Sequence, residues 1–134
     1  MSNSSTDLEQ RALRARARAY APYSKFQVGA AIRVDGQVFE GVNVENASYP
    51  LCVCAERNAI AAAIDAGARH LEEVAVATDA SPPSSPCGAC RQVLREFAPH
   101  PEQVTVTAVN PRGERRSWTL AELLPDSFSG KELP

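Results

Sequence analysis

The sequence predicts an α/β fold, a three-layer α/β/α sandwich built around one mixed five-stranded sheet. Segments rich in β-formers alternate with segments of helical periodicity, and strands that are joined through a helix usually run parallel within one sheet. The Asp35-Gly36 turn joins two consecutive strands directly, which adds an antiparallel pair. With 134 residues, of which 44% are hydrophobic, the chain is about the size of one domain. We therefore expect a single domain over residues 1–134.

The N-terminal part of the chain predicts a helix followed by a hairpin. Thr6 and Glu9 have the spacing of a capping box, which predicts a helix that runs to about Tyr20. The β-formers over residues 26–34 and 37–44 lie on either side of the Asp-Gly turn, and they predict two paired strands.

The rest of the chain predicts alternating helices and strands. Residues 54–66 are rich in Ala and Ile, apolar on several sides and followed by a glycine, which predicts a helix buried in the middle of the domain. The other expected elements are a strand at 74–78, a helix at 87–97, strands at 104–109 and 115–118, and a helical turn at 120–124. This order favours helices on both faces of the sheet.

Charge and hydropathy narrow the class of protein. The net charge is −2, and acidic and basic residues are mixed along the chain, which argues against an electrostatic grip on nucleic acid. No apolar run approaches the ~20 residues of a membrane span. Residues 1–7 are polar and have no apolar stretch of the kind that a secretory signal needs. We therefore expect a cytoplasmic protein with no membrane or nucleic-acid partner.

Two short clusters carry the chemistry: Cys-Ala-Glu at residues 54–56 and Pro-Cys-Gly-Ala-Cys at residues 86–90. A zinc ion with three protein ligands keeps a fourth position for water, as catalytic sites do, whereas structural zinc usually has four protein ligands. Glu56 follows the first thiol by two residues, close enough to exchange protons with that water. Zinc nucleobase deaminases carry the same pattern of a Cys or His, a Glu and a later Pro-Cys-x-x-Cys. We therefore expect one Zn²⁺ on Cys54, Cys87 and Cys90.

The predicted helices explain why these thiols would ionise. Cys87 and Cys90 are three residues apart, so they project from the same side of a first helical turn. Helix N-termini carry partial positive charge and favour thiolates, the form that binds metal. Three thiolates with Zn²⁺ leave a formal charge of about −1. Arg57 can offset that charge by hydrogen bonding to a sulfur; a surface ion pair is the alternative role for Arg57.

Cys52 offers an alternative, a structural zinc with four thiolate ligands. The Cys-Val-Cys spacing at residues 52–54 fits poorly to zinc-ligand pairs, which usually have two to four intervening residues. In extended chain, the side chains of Cys52 and Cys54 also point to opposite sides. We expect Cys52 to be a small buried residue. A redox pair at Cys87 and Cys90 is also possible, but it leaves Cys54 and Glu56 without a role.

Five segments of the chain occur in the order of one known family. They are Ala-Pro-Tyr-Ser-Lys-Phe-Gln-Val-Gly-Ala-Ala at 21–31, Gly-Val-Asn-Val-Glu-Asn-Ala-Ser-Tyr at 41–49, Cys-Ala-Glu-Arg-Asn-Ala at 54–59, Pro-Cys-Gly-Ala-Cys-Arg-Gln at 86–92, and Glu-Leu-Leu-Pro at 122–125 with Phe128. Together they resemble the small, homotetrameric, zinc-dependent cytidine deaminases. The resemblance spans about residues 20–128, nearly the whole chain. Cys52 departs from it, because the family usually has a hydroxyl or another small residue there.

The resemblance implies hydrolysis of the C–N bond of a cyclic amidine. Cytidine and deoxycytidine would become uridine and deoxyuridine with release of ammonia, as in pyrimidine salvage. It also implies one zinc per chain and a homotetramer with shared active sites. The implied site residues are zinc ligands Cys54, Cys87 and Cys90, proton shuttle Glu56, ribose-binding Asn43 and Glu45, pocket residue Phe26, base-holding backbone at Ala55, and Phe128, which reaches a neighbouring subunit's site.

The chemistry of these side chains agrees with the implied roles. A carboxylate accepts hydrogen bonds from vicinal hydroxyls, an amide adds a donor and an acceptor, and an aromatic face suits a flat base. The alternatives are a solvated loop for Asn43 and Glu45, and ordinary core packing for Phe26 and Phe128. Two other functions stay open: deamination of another cytosine-bearing compound such as blasticidin S, and a zinc-stabilised binding module without catalysis.

Overall fold

A mixed five-stranded sheet forms the middle layer of the molecule in the computed structural model, which describes residues 5–134. The strands are β1 Gly29–Val34, β2 Gln37–Val42, β3 Leu71–Ala77, β4 Thr105–Val109 and β5 Arg115–Thr119, in the spatial order β2-β1-β3-β4-β5. β1 pairs antiparallel with both β2 and β3, β3 pairs parallel with β4, and β5 closes the sheet antiparallel to β4. The predicted sheet and its mixed pairing are confirmed.

Four α-helices pack against this sheet or close its end. They are α1 Ser5–Ala15, α2 Ala55–Asp65, α3 Gly88–Glu96 and the one-turn α4 Leu120–Leu123. Ser5 is already helical, so the prediction that Thr6 caps α1 from outside is wrong, and Thr6 lies in the first turn instead. Beyond Ala15 the chain tightens into a 3-10 turn at Arg16–Arg18. Residues 1–4, which belong to the segment expected to lack a secretory signal, lie outside the described residues.

The sheet is covered on both faces, as the sequence predicts. One face packs on α1 through small side chains, among them Ala31, Ala75 and Ala77, which meet Leu8 and Ala12. The opposite face carries the larger residues of the same strands, and it packs on α2, α3 and α4. Its fully buried side chains include Ile32, Val74, Val106, Ala59, Ala63, Leu94 and Leu120. Alternate side chains of a strand point to opposite faces, which is why one strand serves both layers.

The topology brings the N-termini of α2 and α3 to the same edge of the sheet. β1 is antiparallel to both β2 and β3, so β2 and β3 run in the same direction. The chain leaves each of these strands at its carboxyl end and then enters α2 and α3, respectively. Ligand sites of open α/β sheets commonly lie outside these strand ends.

A glycine on β2 lets α2 approach the sheet closely. A Cβ atom at Gly41 would lie 2.4 Å from both the carbonyl oxygen of Ala55 and the amide nitrogen of Ala59. Any side chain at this position would push the first turn of α2 away from the sheet. The close packing fixes the helix end that carries Cys54. Within residues 5–134, no helix is both long enough and apolar enough to cross a membrane.

Candidate active site

Three thiols from two helix ends come together at this edge of the sheet. The sulfur atoms of Cys54, Cys87 and Cys90 all lie within 4.8 Å of one another, and those of Cys54 and Cys87 are 3.9 Å apart. Tetrahedral zinc with Zn–S bonds of about 2.3 Å places its sulfur ligands roughly 3.8 Å apart. The donor set and its spacing therefore fit Zn²⁺.

The local backbone explains how each thiol reaches the cluster. Cys54 is the N-cap residue of α2 and Cys87 is the N-cap residue of α3, and both have extended backbone conformations. The sulfur of Cys87 accepts a hydrogen bond from the amide of Cys90 at 3.4 Å. Because helix N-termini present free N–H groups and partial positive charge, two such ends stabilise negative charge on sulfur.

The thiols influence one another's ionisation. A hydrogen bond from Cys90 lowers the pKa of Cys54 to about 6, with smaller contributions from Cys87 and the positive charge of Arg57. The interaction with Cys54, together with burial, raises the pKa of Cys90 above its usual value. One thiol of the cluster thus ionises readily, and the next resists because the charges are close together. Arg57 supports the cluster through its charge.

Glu56 is an acidic group in contact with this cluster. It is 4% exposed, and its Oε1 lies 3.8 Å from the sulfur of Cys90. Burial raises the pKa of Glu56 to about 7, and the neighbouring Cys54 charge adds to the effect. A carboxyl group with a pKa near neutrality can both accept and donate a proton, which is what general acid–base catalysis needs.

A cavity of about 290 Å³ opens in front of the thiols and Glu56. Four of the predicted substrate-contact residues line it: Phe26, Asn43, Glu45 and Ala55. Its other lining residues are Val28, Val44, Cys52, Val53, Cys54, Glu56, Val76, Thr78, Ser84, Ser85 and Cys87. None of the described lining residues is a lysine or an arginine, so the cavity offers polar, acidic and apolar contacts without a side-chain cation.

Asn43 and Glu45 are anchored to the loop that carries Phe26. The Asn43 side chain accepts from the amide of Val28 and donates to the carbonyl of Phe26, both at 2.8 Å. The Glu45 carboxylate accepts hydrogen bonds from the amides of Tyr23 and Ser24, at 2.9 and 3.1 Å, and from the Ser24 hydroxyl. The hydrogen bond from the Ser24 hydroxyl contributes most to holding the pKa of Glu45 below its usual value. These two side chains therefore shape the pocket wall as well as line it.

Sequence reasoning missed several residues of the site. Thr78, Ser84 and Ser85 line the cavity, although nothing in their sequence context marks them. Arg91 donates to the carbonyls of Pro86 and Leu123, both at 2.7 Å, and to the Ser85 hydroxyl at 2.8 Å, which ties the loop before Cys87 to α4. Its acceptors lie on separate segments, so no local spacing could have identified this contact.

Phe128 and Cys52 lie apart from the thiol cluster. Phe128 is 56% exposed and is not among the cavity-lining residues; its carbonyl accepts from Gln92 at 3.0 Å. The Cys52 sulfur accepts from the amide of Asn46 at 3.3 Å and donates to the carbonyl of the same residue at 3.6 Å. Cys52 lines the cavity but is not one of the clustered thiols, so the geometry speaks against a four-thiolate zinc.

Comparisons with known proteins point to one family. Residues 2–109 match the sequence model of the cytidine and deoxycytidylate deaminase zinc-binding region. A cytidine deaminase of Halalkalibacterium halodurans is 45% identical over 127 residues, which cover 94% of this chain and 95% of the relative. A cytidine deaminase of Sporosarcina psychrophila is 46% identical over 121 residues, or 90% of this chain and 88% of the relative.

Solved structures agree. The crystal structure of cytidine deaminase from Burkholderia pseudomallei superposes with a TM-score of 0.87 at 47% identity, covering 93% of this chain and 99% of the other. That of cytidine deaminase from Mycobacterium tuberculosis superposes with a TM-score of 0.78 at 40% identity, covering 92% of this chain and 95% of the other.

Proposed function

Because this chain belongs to the cytidine and deoxycytidylate deaminase family, we propose that it catalyses the zinc-dependent hydrolytic deamination of cytidine and deoxycytidine. The products are uridine or deoxyuridine and ammonia, a reaction of pyrimidine salvage. One observation carries the proposal: three thiols that fit zinc lie together, and two of them, Cys54 and Cys87, line one cavity with the buried carboxyl group of Glu56. A binding module without catalysis would have no use for that carboxyl group.

The metal is assigned to the thiol cluster. Cys54, Cys87 and Cys90 would hold one Zn²⁺ per chain, and when bound there the ion would supply a Lewis acid that makes water nucleophilic near neutral pH. The N-termini of α2 and α3, with the charge of Arg57, offset the negative charge of the thiolates.

Glu56 is proposed as the group that moves protons. It takes a proton from the attacking water and gives it to N3 of the cytosine ring, which makes C4 more electrophilic. The water oxygen adds to C4 as a hydroxyl group. Glu56 then takes the proton of this hydroxyl group and delivers it to the amino group, the C4–N bond breaks, and ammonia leaves as C4 becomes a carbonyl. Its pKa of about 7 in the buried site suits both directions of transfer.

The other lining residues are proposed to hold the nucleoside. The Phe26 ring lies against the base, and the Ala55 backbone holds the base edge. Asn43 and Glu45 contact the sugar hydroxyls. Both side chains also bond to the loop, and they can make further hydrogen bonds beside those contacts. The sugar contacts favour a nucleoside over blasticidin S, which would not need them.

The assembly is proposed to be a homotetramer with shared active sites. Large apolar side chains are exposed on the single chain, among them Phe128 (56%), Leu51 (62%) and Tyr49 (71%). Burying them against other copies would remove that area from water, and it would let Phe128 reach a neighbouring site.

We also propose one domain for the chain and a cytoplasmic location, because its four cysteines are unpaired thiols and a reducing compartment would keep them so.

The test follows ultraviolet absorbance as cytidine is converted to uridine by protein of known zinc content. We expect conversion by the zinc-loaded protein, loss of conversion after chelation, and recovery when Zn²⁺ is added back. Blasticidin S is run in parallel as the competing substrate. Zinc-loaded protein that leaves cytidine unchanged would contradict the proposed function. If blasticidin S alone were converted, it would take the place of cytidine as the assigned substrate.

A further inference from the structure

We propose that Ser24 is a positioning residue for the sugar side of the pocket. This role rests on the proposed function, because it concerns how the nucleoside is held. Ser24 itself does not line the main cavity; it lies in the turn at residues 22–24, behind two residues that do. Its hydroxyl group links the carboxylate of Glu45 to the backbone of Phe26, so one side chain sets the place of both.

The contacts of Ser24 run in two directions. Its hydroxyl donates a hydrogen bond to Oε2 of Glu45, and its amide donates to Oε1 of the same residue at 3.1 Å. The hydroxyl oxygen also accepts from the amide of Phe26 at 3.0 Å. One residue therefore donates hydrogen bonds to both carboxylate oxygens of Glu45. The hydroxyl oxygen of Ser24 also holds the backbone amide of Phe26 in place.

A turn-stabilising role alone does not account for this arrangement. Serine hydroxyls commonly accept from the amide two residues later, and that local contact needs no carboxylate. Here the hydroxyl proton is directed to Glu45, 21 residues away in sequence, on a different segment of the pocket wall. The backbone between Ser24 and Phe26 also passes through Lys25 with a φ of +62°, a conformation that non-glycine residues adopt rarely. The hydrogen bond from the Phe26 amide to the Ser24 hydroxyl connects the two ends of this short segment.

Loss of the hydroxyl should affect the sugar side and leave the reacting side intact. The amides of Tyr23 and Ser24 would still reach Glu45, but only at Oε1, so Oε2 would lose its donor and the carboxylate could rotate. The amide of Phe26 would lose its acceptor at the same time. Glu56 and the thiols are carried by the N-terminal ends of α2 and α3, whereas the hydrogen bonds of Ser24 go to Glu45 and Phe26.

The first experiment measures steady-state kinetics with cytidine for Ser24→Ala, Ser24→Thr and the control Ser117→Ala. Ser117 is an exposed residue on β5 whose hydroxyl contacts that of Thr107 on the neighbouring strand, so its replacement removes a hydroxyl contact outside the turn. We expect Ser24→Ala to raise KM about tenfold, equivalent to about 1.4 kcal/mol, with kcat within about twofold of the parent. Ser24→Thr keeps the hydroxyl and should restore KM. Zinc content and thermal unfolding confirm that each variant is folded.

The second experiment separates the sugar from the base. Inhibition constants are measured against cytidine for uridine and for 1-methyluracil, which has the base and no sugar. We expect Ser24→Ala to raise the constant for uridine about tenfold and to leave that for 1-methyluracil unchanged. Equal increases for both inhibitors, a fall in kcat with unchanged KM, or no recovery in Ser24→Thr would overturn the proposal. Parent protein that fails to deaminate cytidine would instead contradict the proposed function, so the two failures are distinguishable.

Discussion

The Oε1 atom of Glu56 lies 3.8 Å from the sulfur of Cys90, although the two residues are 34 positions apart in sequence. Glu56 sits in the first turn of α2 and Cys90 in the first turn of α3. The contact therefore joins the proposed proton-transfer group to the proposed metal cluster across two helix ends. Burial keeps the pKa of Glu56 near 7 at this place.

Replacing Glu56 with glutamine should remove catalysis while keeping the metal. The amide has nearly the same size but cannot take up or deliver the proton, so we expect kcat to fall by roughly 10²–10⁴-fold. Zinc content should stay at that of the parent, because no metal ligand is changed. The matched control is Glu96→Gln, an exposed position at the end of α3. Activity of Glu56→Gln close to the parent value would remove Glu56 from the mechanism.

The four cysteines should divide into two classes when each is replaced by serine. Variants at Cys54, Cys87 and Cys90 should lose zinc and activity, since a hydroxyl is a far poorer zinc ligand than a thiolate. Cys52→Ser should keep both, because a serine hydroxyl can make the same contacts to the backbone of Asn46. Elemental analysis of purified variants gives the zinc per chain. Loss of stoichiometric zinc from Cys52→Ser would make Cys52 a ligand.

The enzyme should discriminate against phosphorylated substrates. The described lining of the cavity contains the Glu45 carboxylate and neither lysine nor arginine, so a 5′-phosphate would be desolvated without a cation to balance it. We expect kcat/KM for deoxycytidylate to be at least about 100-fold below that for deoxycytidine, a difference of about 2.7 kcal/mol. Both substrates are followed by the same absorbance change. Comparable values would show that a cation from elsewhere in the assembly reaches the phosphate.

Acid should weaken the fold through Glu40 on β2. Partial burial opposes its ionisation, but hydrogen bonds from Arg11 at 2.7 Å and Arg18 at 2.8 Å outweigh this effect and hold the pKa of Glu40 below its usual value of 4.5. A lowered folded-state pKa means that the stabilisation is present above about pH 4.5 and is lost as the pH falls through the folded-state value.

Glu40→Gln tests this contribution by thermal unfolding across pH. We expect a loss of roughly 0.5 kcal/mol near pH 7, because Arg18 is largely exposed and solvent screens the pair. The difference from the parent should shrink in acid, once the parent carboxylate is also protonated. Glu96→Gln serves as the exposed control here too. A difference that persists unchanged in acid would assign the effect to packing instead of charge.

Much of the fold could be predicted because its signals are local. The Asp35-Gly36 turn and the flanking β-formers predict a hairpin, and the structure has β1 and β2 paired antiparallel across it. Boundaries were less accurate where tertiary contacts decide them. The strand expected from residue 26 begins at Gly29. Before it, the amide of Val28 and the carbonyl of Phe26 bond to the side chain of Asn43, and only the Val28 carbonyl reaches backbone, the Asn43 amide at 3.2 Å.

The start of α1 shows a second limit of local reasoning. Thr6 and Glu9 have capping-box spacing, yet Ser5 is already in the helix. A capping pattern indicates that a helix begins nearby, whereas the actual first residue depends on how much of the helix the sheet stabilises. Here the buried Leu8 and Ala12 anchor α1 on the sheet, so the turn before Glu9 stays helical.

The sequence by itself determined the donor types and their local spacing. Cys87 and Cys90 share a helical turn, and Glu56 follows Cys54 by two residues; both relations are set by backbone geometry and need no knowledge of the fold. Only the tertiary structure decided that Cys54 meets Cys87 across 33 residues, that Arg91 ties the loop before Cys87 to α4, and that Ser24 grips Glu45. Such meetings depend on strand order and helix packing, because segments distant in sequence have no fixed distance until the sheet brings them together.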